Sequence, residues 1–362
     1  PCRASEHGGS ERNMVIYERD IAVDMGTSNT LVFVQGKGLV LREPTVVALN
    51  KTRNDPEKDR MLKIGEEAKK TLGRTPANIV AIHPIRDGVI SDYDMSALML
   101  RELVSRITSF SLFKPRLLMC VPSSITGVEE RAVLDAAVEA GARKVYLVET
   151  AVATAIGAGV DIKKPDGHMV IDIGGGTTEI AVVTMGGVAE CESIKIAGSS
   201  FDEAIIRYIK KKHNVLIGAM TAEEVKISIG GLLPRPDAPE SMEVKGRCLV
   251  KGLPKTVTVT AAELIEVLRE PARLILENVH SVLERTPPEL TGDLGVNGII
   301  LSGGGSMLYG IDKMIEHSTE IKTMIVDDPI ACAAHGAGKL LSQLDYMQDG
   351  MMNFLRNREM RR

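Results

Sequence analysis

Two segments of the chain repeat one pattern, in which an apolar strand ends in an aspartate and is followed by glycine and hydroxyl side chains. The first is DMGTSNT, from Asp24 to Thr30, and the second is DIGGGTT, from Asp172 to Thr178. Glycine lets the backbone turn sharply and bring N–H groups against an anion. An apolar strand resumes directly after each turn, so the pattern predicts two β-hairpins. The Walker pattern of strand-to-helix phosphate loops is absent.

A third glycine-rich turn, LSGGGSML, runs from Leu301 to Leu308 and follows the apolar segment GII. Its glycines would let a flat base or a ribose approach the backbone. One Gly-Thr hairpin alone is a common structural turn. Two such hairpins in the two halves of the chain, followed by this third turn, indicate a nucleotide held between two related domains.

Length and composition limit the alternatives. A chain of 362 residues can form two domains with separate cores. The net charge of -4 leaves no dominant basic face, so we expect no nucleic-acid partner. The five cysteines lack C-x-x-C spacing, which argues against a disulfide framework or a zinc site and favours a cytoplasmic location. No apolar run reaches the length of a membrane span. Residues 1–13 lack the apolar region of a signal peptide, and we expect a disordered tail or a tag there.

Strand and helix patterns alternate in both halves. The clearest predicted strands are RLLMCV, KVYLVE and HMVIDI, and the predicted helices are 94–107, 126–140, 200–212, 261–284 and 329–344. Strands that alternate with helices at this spacing predict an α/β fold.

Further segments resemble the MreB family of bacterial actins, within the superfamily of actin, sugar kinases and heat-shock chaperone ATPases. These segments are EPTVVAL (43–49), HPIRDGVISDYD (83–94), CVPSSITGVEERAV (120–133) and DDPIACAAHGAGKLL (327–341). The resemblance runs from about Ile21 to Leu344. It implies an actin-like fold, in which two related α/β domains flank a nucleotide cleft and each carries a smaller subdomain. The implied first domain is 14–160, with a small subdomain at about 40–80. The second is 161–344, with a small subdomain at about 198–260 and helix 329–344 packing back towards the first domain, before a C-terminal tail at 345–362.

The function implied by the resemblance is that of an ATP- and Mg²⁺-binding cytoskeletal protein. Such a protein polymerises into double filaments at the inner face of the cell membrane and organises cell-wall synthesis to set a rod shape. The implied partners are further copies of the chain, the membrane surface and membrane proteins of wall synthesis. Two other functions in the superfamily stay open. A small-metabolite kinase would need a substrate pocket with a catalytic Asp, and a chaperone ATPase would need a substrate-binding domain after the core.

The resemblance also implies roles for individual residues. The residues implied to contact the phosphates are Thr27, Ser28, Asn29, Gly174, Gly175, Gly176 and Thr177. Asp24 and Asp172 are implied to bind Mg²⁺ through water. The residues implied to contact the nucleoside are Gly303, Gly304, Gly305 and Ser306 of the third turn. Glu223, Glu224, Val225 and Lys226, on an adenosine-side helix, are implied to contact it as well. For this last segment two alternatives stay open: Thr221 and Glu224 fit a capping box, and Glu223 with Lys226 fits a surface ion pair.

Membrane contact is expected at FSLFKPR, 110–116, an apolar loop with a basic flank. In the family the loop at this position touches lipid, and Leu112 and Phe113 are the implied inserting pair. The alternative is that Phe110 and Phe113 pack beneath the loop. The tail mixes apolar residues with four arginines, which would suit an anionic surface, or it is disordered.

One position departs from the family pattern. Related proteins carry an acidic residue followed by Pro at the start of the helix after KVYLV, where the acid positions or activates the attacking water. Thr150 and Ala151 stand there in this chain. A Thr hydroxyl can hold a water but is too weak a base to deprotonate it. Glu149 lies one residue earlier, a rotation of about 100° on a helix, and a one-residue shift of the helix start would return it to the cleft. We expect an ATPase that is weak at most.

Overall fold

Each glycine hairpin lies in the middle of its own mixed β-sheet. The structure, a computed structural model, describes residues 20–50, 61–108, 114–344 and 355–357. The described strands are β1 (Ile21–Met25), β2 (Asn29–Val34), β3 (Gly38–Pro44), β4 (Val47–Asn50), β5 (Met61–Ile64), β6 (Ile79–Ile82), β7 (Ile85–Arg86), β8 (Val89–Ile90), β9 (Arg116–Val121), β10 (Lys144–Glu149), β11 (His168–Ile173), β12 (Thr178–Thr184), β13 (Gly187–Ile194), β14 (Val215–Leu216), β15 (Ser241–Cys248), β16 (Pro254–Thr260), β17 (Ile299–Ser302), β18 (Thr323–Ile325) and β19 (Leu355–Asn357).

Helices pack around these sheets. They are α1 (Gly65–Lys69), α2 (Tyr93–Thr108), α3 (Gly127–Glu139), α4 (Thr150–Gly157), α5 (Gly198–His213), α6 (Ala219–Ile229), α7 (Ala261–Arg285), α8 (Pro288–Asn297), α9 (Ile311–Thr319) and α10 (Cys332–Leu340), with short 3₁₀ turns at Gly304–Met307 and Leu341–Gln343.

The two large sheets share one arrangement. In the first, of order β19-β10-β9-β1-β2-β3, β1 forms an antiparallel hairpin with β2 and lies parallel to β9. In the second, of order β13-β12-β11-β17-β18, β11 forms an antiparallel hairpin with β12 and lies parallel to β17. β9 is buried along its whole length, as expected for a strand covered on both faces. The first hairpin and the second therefore lie at the carboxyl ends of parallel strands, where α/β sheets bind ligands.

Smaller sheets accompany the large ones. One contains β5, β4 and β6, another contains β14, β15 and β16, and β7 pairs with β8. The second lies within the range predicted for a small subdomain, 198–260, and the first runs two residues past the other predicted range, to Ile82. The predicted domain limits themselves stay predictions.

Capping residues set the starts of two predicted helices. Thr126 Oγ1 accepts a hydrogen bond from the N–H of Glu129, whose carboxylate accepts the N–H of Thr126 in return, so α3 starts after Thr126. Thr260 and Glu263 form the same box before α7.

The last predicted helix is shorter than expected. It begins at Cys332 and not at Pro329, because the Pro329 carbonyl accepts hydrogen bonds from Gly303 N–H and Ser302 Oγ and lies outside the helix. α10 packs across α4, where Cys332 Sγ lies 3.4 Å from the Thr154 carbonyl and Lys339 Nζ lies 2.9 Å from the Ile156 carbonyl. Through these contacts α10, near the C-terminal end of the described chain, packs on α4, which follows β10 of the first large sheet.

Candidate functional site

The two hairpins and the third glycine turn line one cleft. The space between its walls is about 810 Å³, including the part that is open to solvent. The predicted site residues that line it are Asp24, Thr27, Ser28, Asn29, Thr150, Asp172, Gly174, Gly175, Gly176, Thr177, Gly303 and Gly304. The folding of two sheets thus brings together residues from four separate parts of the chain.

The two hairpins have equivalent turns and approach each other closely. Gly26 N–H donates to the Asn29 carbonyl at 3.0 Å, and Gly174 N–H donates to the Thr177 carbonyl at 2.9 Å. A Cβ added to Gly175 would lie 2.8 Å from Ser28 Cβ and closer still to its Oγ. Glycine at this position is therefore required for the approach of the two hairpins, as well as for access of a ligand to the backbone.

The third turn divides into a part that faces the cleft and a part that packs on β11. Gly303 has a φ of +80°, and a Cβ there would lie 2.5 Å from the carbonyl carbon of Ile173. Gly304 borders the cleft. Ser306 is buried, and its Oγ donates to the Gly303 carbonyl at 2.7 Å. Gly305 and Ser306 hold the turn in place and are not among the cleft-lining residues, so their contact with a nucleoside stays a prediction.

Two aspartates border the cleft, Asp24 near the end of β1 and Asp172 near the end of β11. Burial, together with a smaller effect of the charge of Asp172, raises the pKa of Asp24 from 3.8 to about 7. Burial also raises the pKa of Asp172 to about 6, although the hydroxyls of Thr154 and Ser302 oppose this change. A divalent cation beside them would lower both pKa values. Among the described residues no group of three or more His, Cys, Asp or Glu side chains could hold a metal, so a cation here would need oxygen ligands in addition to these carboxylates.

A third cleft carboxylate, Glu179 in β12, was not predicted. It is buried, and its carboxylate accepts the N–H of Ser123 from the loop after β9. Burial raises the pKa of Glu179 to about 8; the Ser123 hydrogen bond opposes this rise, and the charges of Asp172 and Glu149 add to it. The sequence places Glu179 directly after the second hairpin, and strand alternation alone does not reveal which face it occupies.

Gly88 is a further cleft residue that sequence reasoning missed. It belongs to the β7–β8 turn, and its N–H donates to Thr27 Oγ1 at 3.1 Å. The Asp87-Gly88 pair is a strong hairpin signal. That signal predicts a turn, but not its position against the first glycine hairpin.

Thr150 lines the cleft, and its Oγ1 donates to the Val121 carbonyl at 3.1 Å. α4 begins at Thr150, with Glu149 as its N-cap residue, and Glu149 is not among the residues that border the cleft. The geometry therefore gives no sign of the one-residue shift that would return Glu149 to the cleft. The catalytic roles of both residues stay predictions.

The predicted adenosine-side residues lie on α6, outside the cleft lining. Lys226 Nζ lies 2.9 Å from the Gly198 carbonyl and 2.8 Å from Asp202 Oδ1, and Glu223 forms an ion pair with Lys69 at 3.3 Å. Glu224 is exposed and Val225 is buried.

Two alternatives for this helix are therefore wrong. α6 begins at Ala219 after an N-cap Gly218 that has no side chain, so Thr221 is already inside the helix and caps nothing. Glu223 and Lys226 each pair with a residue of another element, so they do not form the expected surface pair. Their contact with adenosine is still a prediction.

The expected membrane residues Leu112 and Phe113 lie outside the described residues, as does the tail apart from β19. In the described part of the chain, none of the helices combines the length and the apolar character that crossing a membrane requires.

Comparisons with known proteins agree with this architecture. The family model "MreB/Mbl protein" matches residues 18–349. The cell shape-determining protein Mbl of Bacillus subtilis is 45% identical over 332 residues, which cover 91% of this chain and 98% of that protein. The cell shape-determining protein MreB of Escherichia coli is 43% identical over 332 residues, which cover 91% of this chain and 95% of that protein.

Solved structures match over a similar range. The crystal structure of MreB5 of Spiroplasma citri bound to ADP has a TM-score of 0.87 at 35% identity and covers 92% of this chain and 99% of that chain. The structure of the MamK double helical filament matches with a TM-score of 0.75 at 21% identity, over 90% of this chain and 98% of that chain. This match supports the fold alone. The chain has an actin-like fold and belongs to the MreB/Mbl protein family.

Proposed function

We propose that this protein binds ATP with Mg²⁺ in the cleft and polymerises into filaments at the inner face of the cell membrane, where they organise cell-wall synthesis and set a rod shape. One observation carries the proposal: hairpins from two separate sheets face the same cleft with their glycines and hydroxyls. In support, the MreB5 structures of Spiroplasma citri were solved with ADP and with AMPPNP.

Phosphate binding follows from the chemistry of the hairpins. Their turns offer backbone N–H groups, and Thr27, Ser28 and Thr177 add hydroxyl donors beside them. The exposed Gly304 at the edge of the cleft would leave room for a nucleoside.

The cleft also fits a magnesium ion. Asp24 and Asp172 are two carboxylates whose raised pKa values reflect burial with too little compensating positive charge. Mg²⁺ commonly binds through one or two carboxylates, several waters and substrate phosphates. When bound, the ion would neutralise charge on the phosphates and orient them.

Filament formation and shape determination are the wider part of the proposal. The curated relatives from Bacillus subtilis and Escherichia coli are called cell shape-determining proteins. A protein of this size can act over the length of a cell by assembly, and a head-to-tail contact that does not close into a ring propagates as a filament. The partners would then be further copies of this chain, the membrane and wall-synthesis proteins.

Calorimetry of ATP binding tests the proposal. Gly175→Val would place a branched side chain between the hairpins, so we expect ATP affinity to fall at least about tenfold, or about 1.4 kcal/mol. Gly187→Val is the matched control, because a Cβ at Gly187 in β13 meets no atom within 4 Å. Thermal melting checks that both variants fold. Equal affinity of the wild type and Gly175→Val would contradict the proposed site.

A further inference from the structure

The cleft contains one carboxylate to which the proposed function gives no role. Among the described residues, its acidic lining consists of Asp24, Asp172 and Glu179. The two aspartates lie one residue before the ends of β1 and β11, and the proposed function assigns them to Mg²⁺. Glu179 lies opposite Asp172 in the β11–β12 register, so it reaches the cleft from the neighbouring strand.

Glu179 is held in place from the other side of the cleft. Only 7% of the residue is exposed, and the N–H of Ser123 donates to Oε1. Ser123 follows β9 of the first sheet, whereas Glu179 belongs to the second sheet. The carboxylate therefore joins the two sheets at the cleft wall, and one of its oxygens is fixed by a backbone donor.

The same short segment also holds Thr150. Its hydroxyl donates to the Val121 carbonyl at 3.1 Å, and Ser123 is only two residues further along. Two residues of extended chain span at most about 7 Å. The Thr150 hydroxyl and the Glu179 carboxylate thus flank Pro122, and all three residues line the cleft. Thr177 of the phosphate hairpin lies two residues before Glu179 and lines it as well.

We propose that Glu179 positions the water that attacks the terminal phosphate of bound ATP, together with the Thr150 hydroxyl. It would do so in place of the acidic residue that the family resemblance implies at position 150. This inference rests on the proposed ATP-binding function. It assigns to Glu179 the role of a positioning residue for hydrolysis.

The step balances without any further reactant. The water oxygen bonds to the γ-phosphorus, the bond from phosphorus to the β–γ bridging oxygen breaks, and ADP leaves with the electron pair. The proton of the water passes to the released phosphate. Glu179 accepts a hydrogen bond from the water, and its own protonation state does not change during the step. Because the transition state of phosphoryl transfer is loose, orientation of the water matters more than removal of its proton.

Glu179→Gln is the main test. The amide oxygen can still accept the Ser123 N–H, but the amide NH₂ group donates and does not accept a hydrogen bond from water. We expect kcat for phosphate release to fall about tenfold or more, with KM and calorimetric ATP affinity unchanged. Glu192→Gln is the matched control, because Glu192 lies on the adjacent β13, pairs with Arg285 and does not line the cleft.

A second-site rescue separates positioning from a structural role. Thr150→Glu puts a carboxylate back at the family position, so it should raise kcat of the wild type and also restore kcat in the Glu179→Gln background. A structural defect at residue 179 would not be repaired from residue 150. Glu179→Asp, which withdraws the carboxylate by one methylene, provides a second variant if Glu179→Gln does not fold, and we expect it to lower kcat too.

The outcomes distinguish this inference from the proposed function. If the wild type binds no ATP, the proposed function fails. If ATP binds but Glu179→Gln or Glu179→Asp keeps the wild-type kcat, Glu179 does not position the water. The inference is equally wrong if Glu149→Gln is the variant that loses turnover, if Thr150→Glu fails to rescue, or if the wild type has no detectable phosphate release.

Discussion

At the scale of single residues, the cleft carboxyl groups should govern how the nucleotide-free protein responds to pH. The folded-state pKa values of Asp24 and Asp172 are raised from 3.8 to about 7 and about 6. Between these values and 3.8 the folded protein binds more protons than the unfolded chain does. The stabilising contribution of each group is therefore complete below about pH 3.8 and is lost as the pH rises through the folded-state pKa.

We predict that the free energy of unfolding falls between about pH 5 and about pH 8 in the absence of Mg²⁺ and nucleotide. Asp24 alone would contribute at most about 3 kcal/mol to this fall, since the side chain keeps some contact with solvent. Denaturant titrations at about pH 5 and about pH 8 measure the two free energies of unfolding. Asp24→Asn should reduce the fall, whereas Asp237→Asn, at an exposed loop position, should leave it unchanged. A full-sized fall in Asp24→Asn would mean that other groups cause it.

At the scale of helices and strands, continuous apolar runs were the most informative part of the sequence. RLLMCV, KVYLVE and HMVIDI form β9, β10 and β11 with the predicted limits, because each is a short apolar run that ends at a turn or a helix start. PELTGDLGVN forms α8 although two glycines interrupt its apolar pattern. Its Leu294 is fully buried, so packing rather than propensity stabilises this helix.

The glycine turns predicted the cleft, and tertiary contacts decided the rest of it. The phosphate-hairpin residues face the cleft as expected, because a strand–turn–strand pattern fixes their local geometry. Gly88, Pro122 and Glu179 come from three other elements. Their place depends on how the two sheets pack against each other, which no short sequence pattern encodes. The α6 residues show the reverse case, since their match to a motif does not place them in the cleft lining.

The loop between α2 and β9 carries the membrane prediction. Changing Leu112 to Ser and Phe113 to Gln removes two apolar side chains, each worth about 1.5–3 kcal/mol if it is fully buried in lipid. We expect the double variant to co-sediment less with anionic vesicles than the wild type does. Removal of residues 345–362 is the comparison. If the loop variant binds as the wild type does and the truncated chain does not, the tail is the membrane contact.

At the scale of the whole molecule, two ion pairs that join the chain before β11 to the chain after it are weak. Lys69 pairs with Glu223 at 3.3 Å, and Asp87 of the β7–β8 turn pairs with Lys195 at 3.5 Å. All four side chains are partly or largely exposed, and pairs of this kind contribute about 0–1 kcal/mol each. A nucleotide that contacts both hairpins would hold the halves together more strongly than these pairs do. We therefore expect nucleotide binding to bias the molecule towards an arrangement in which the two hairpins stay together, which the proposed filament would require.

Assembly should then depend on the hairpins as well as on protein concentration. We predict that light scattering of the wild type rises with ATP and Mg²⁺ above a threshold protein concentration, as a head-to-tail contact requires. Gly175→Val should not assemble under these conditions, because its added side chain meets Ser28 and separates the halves. Gly187→Val, with open space around the added atoms, should assemble as the wild type does. A wild type that stays monomeric with ATP at high concentration, with anionic lipid present, would count against filament formation. Assembly of Gly175→Val to the wild-type level would show that the contact does not depend on closure at the hairpins.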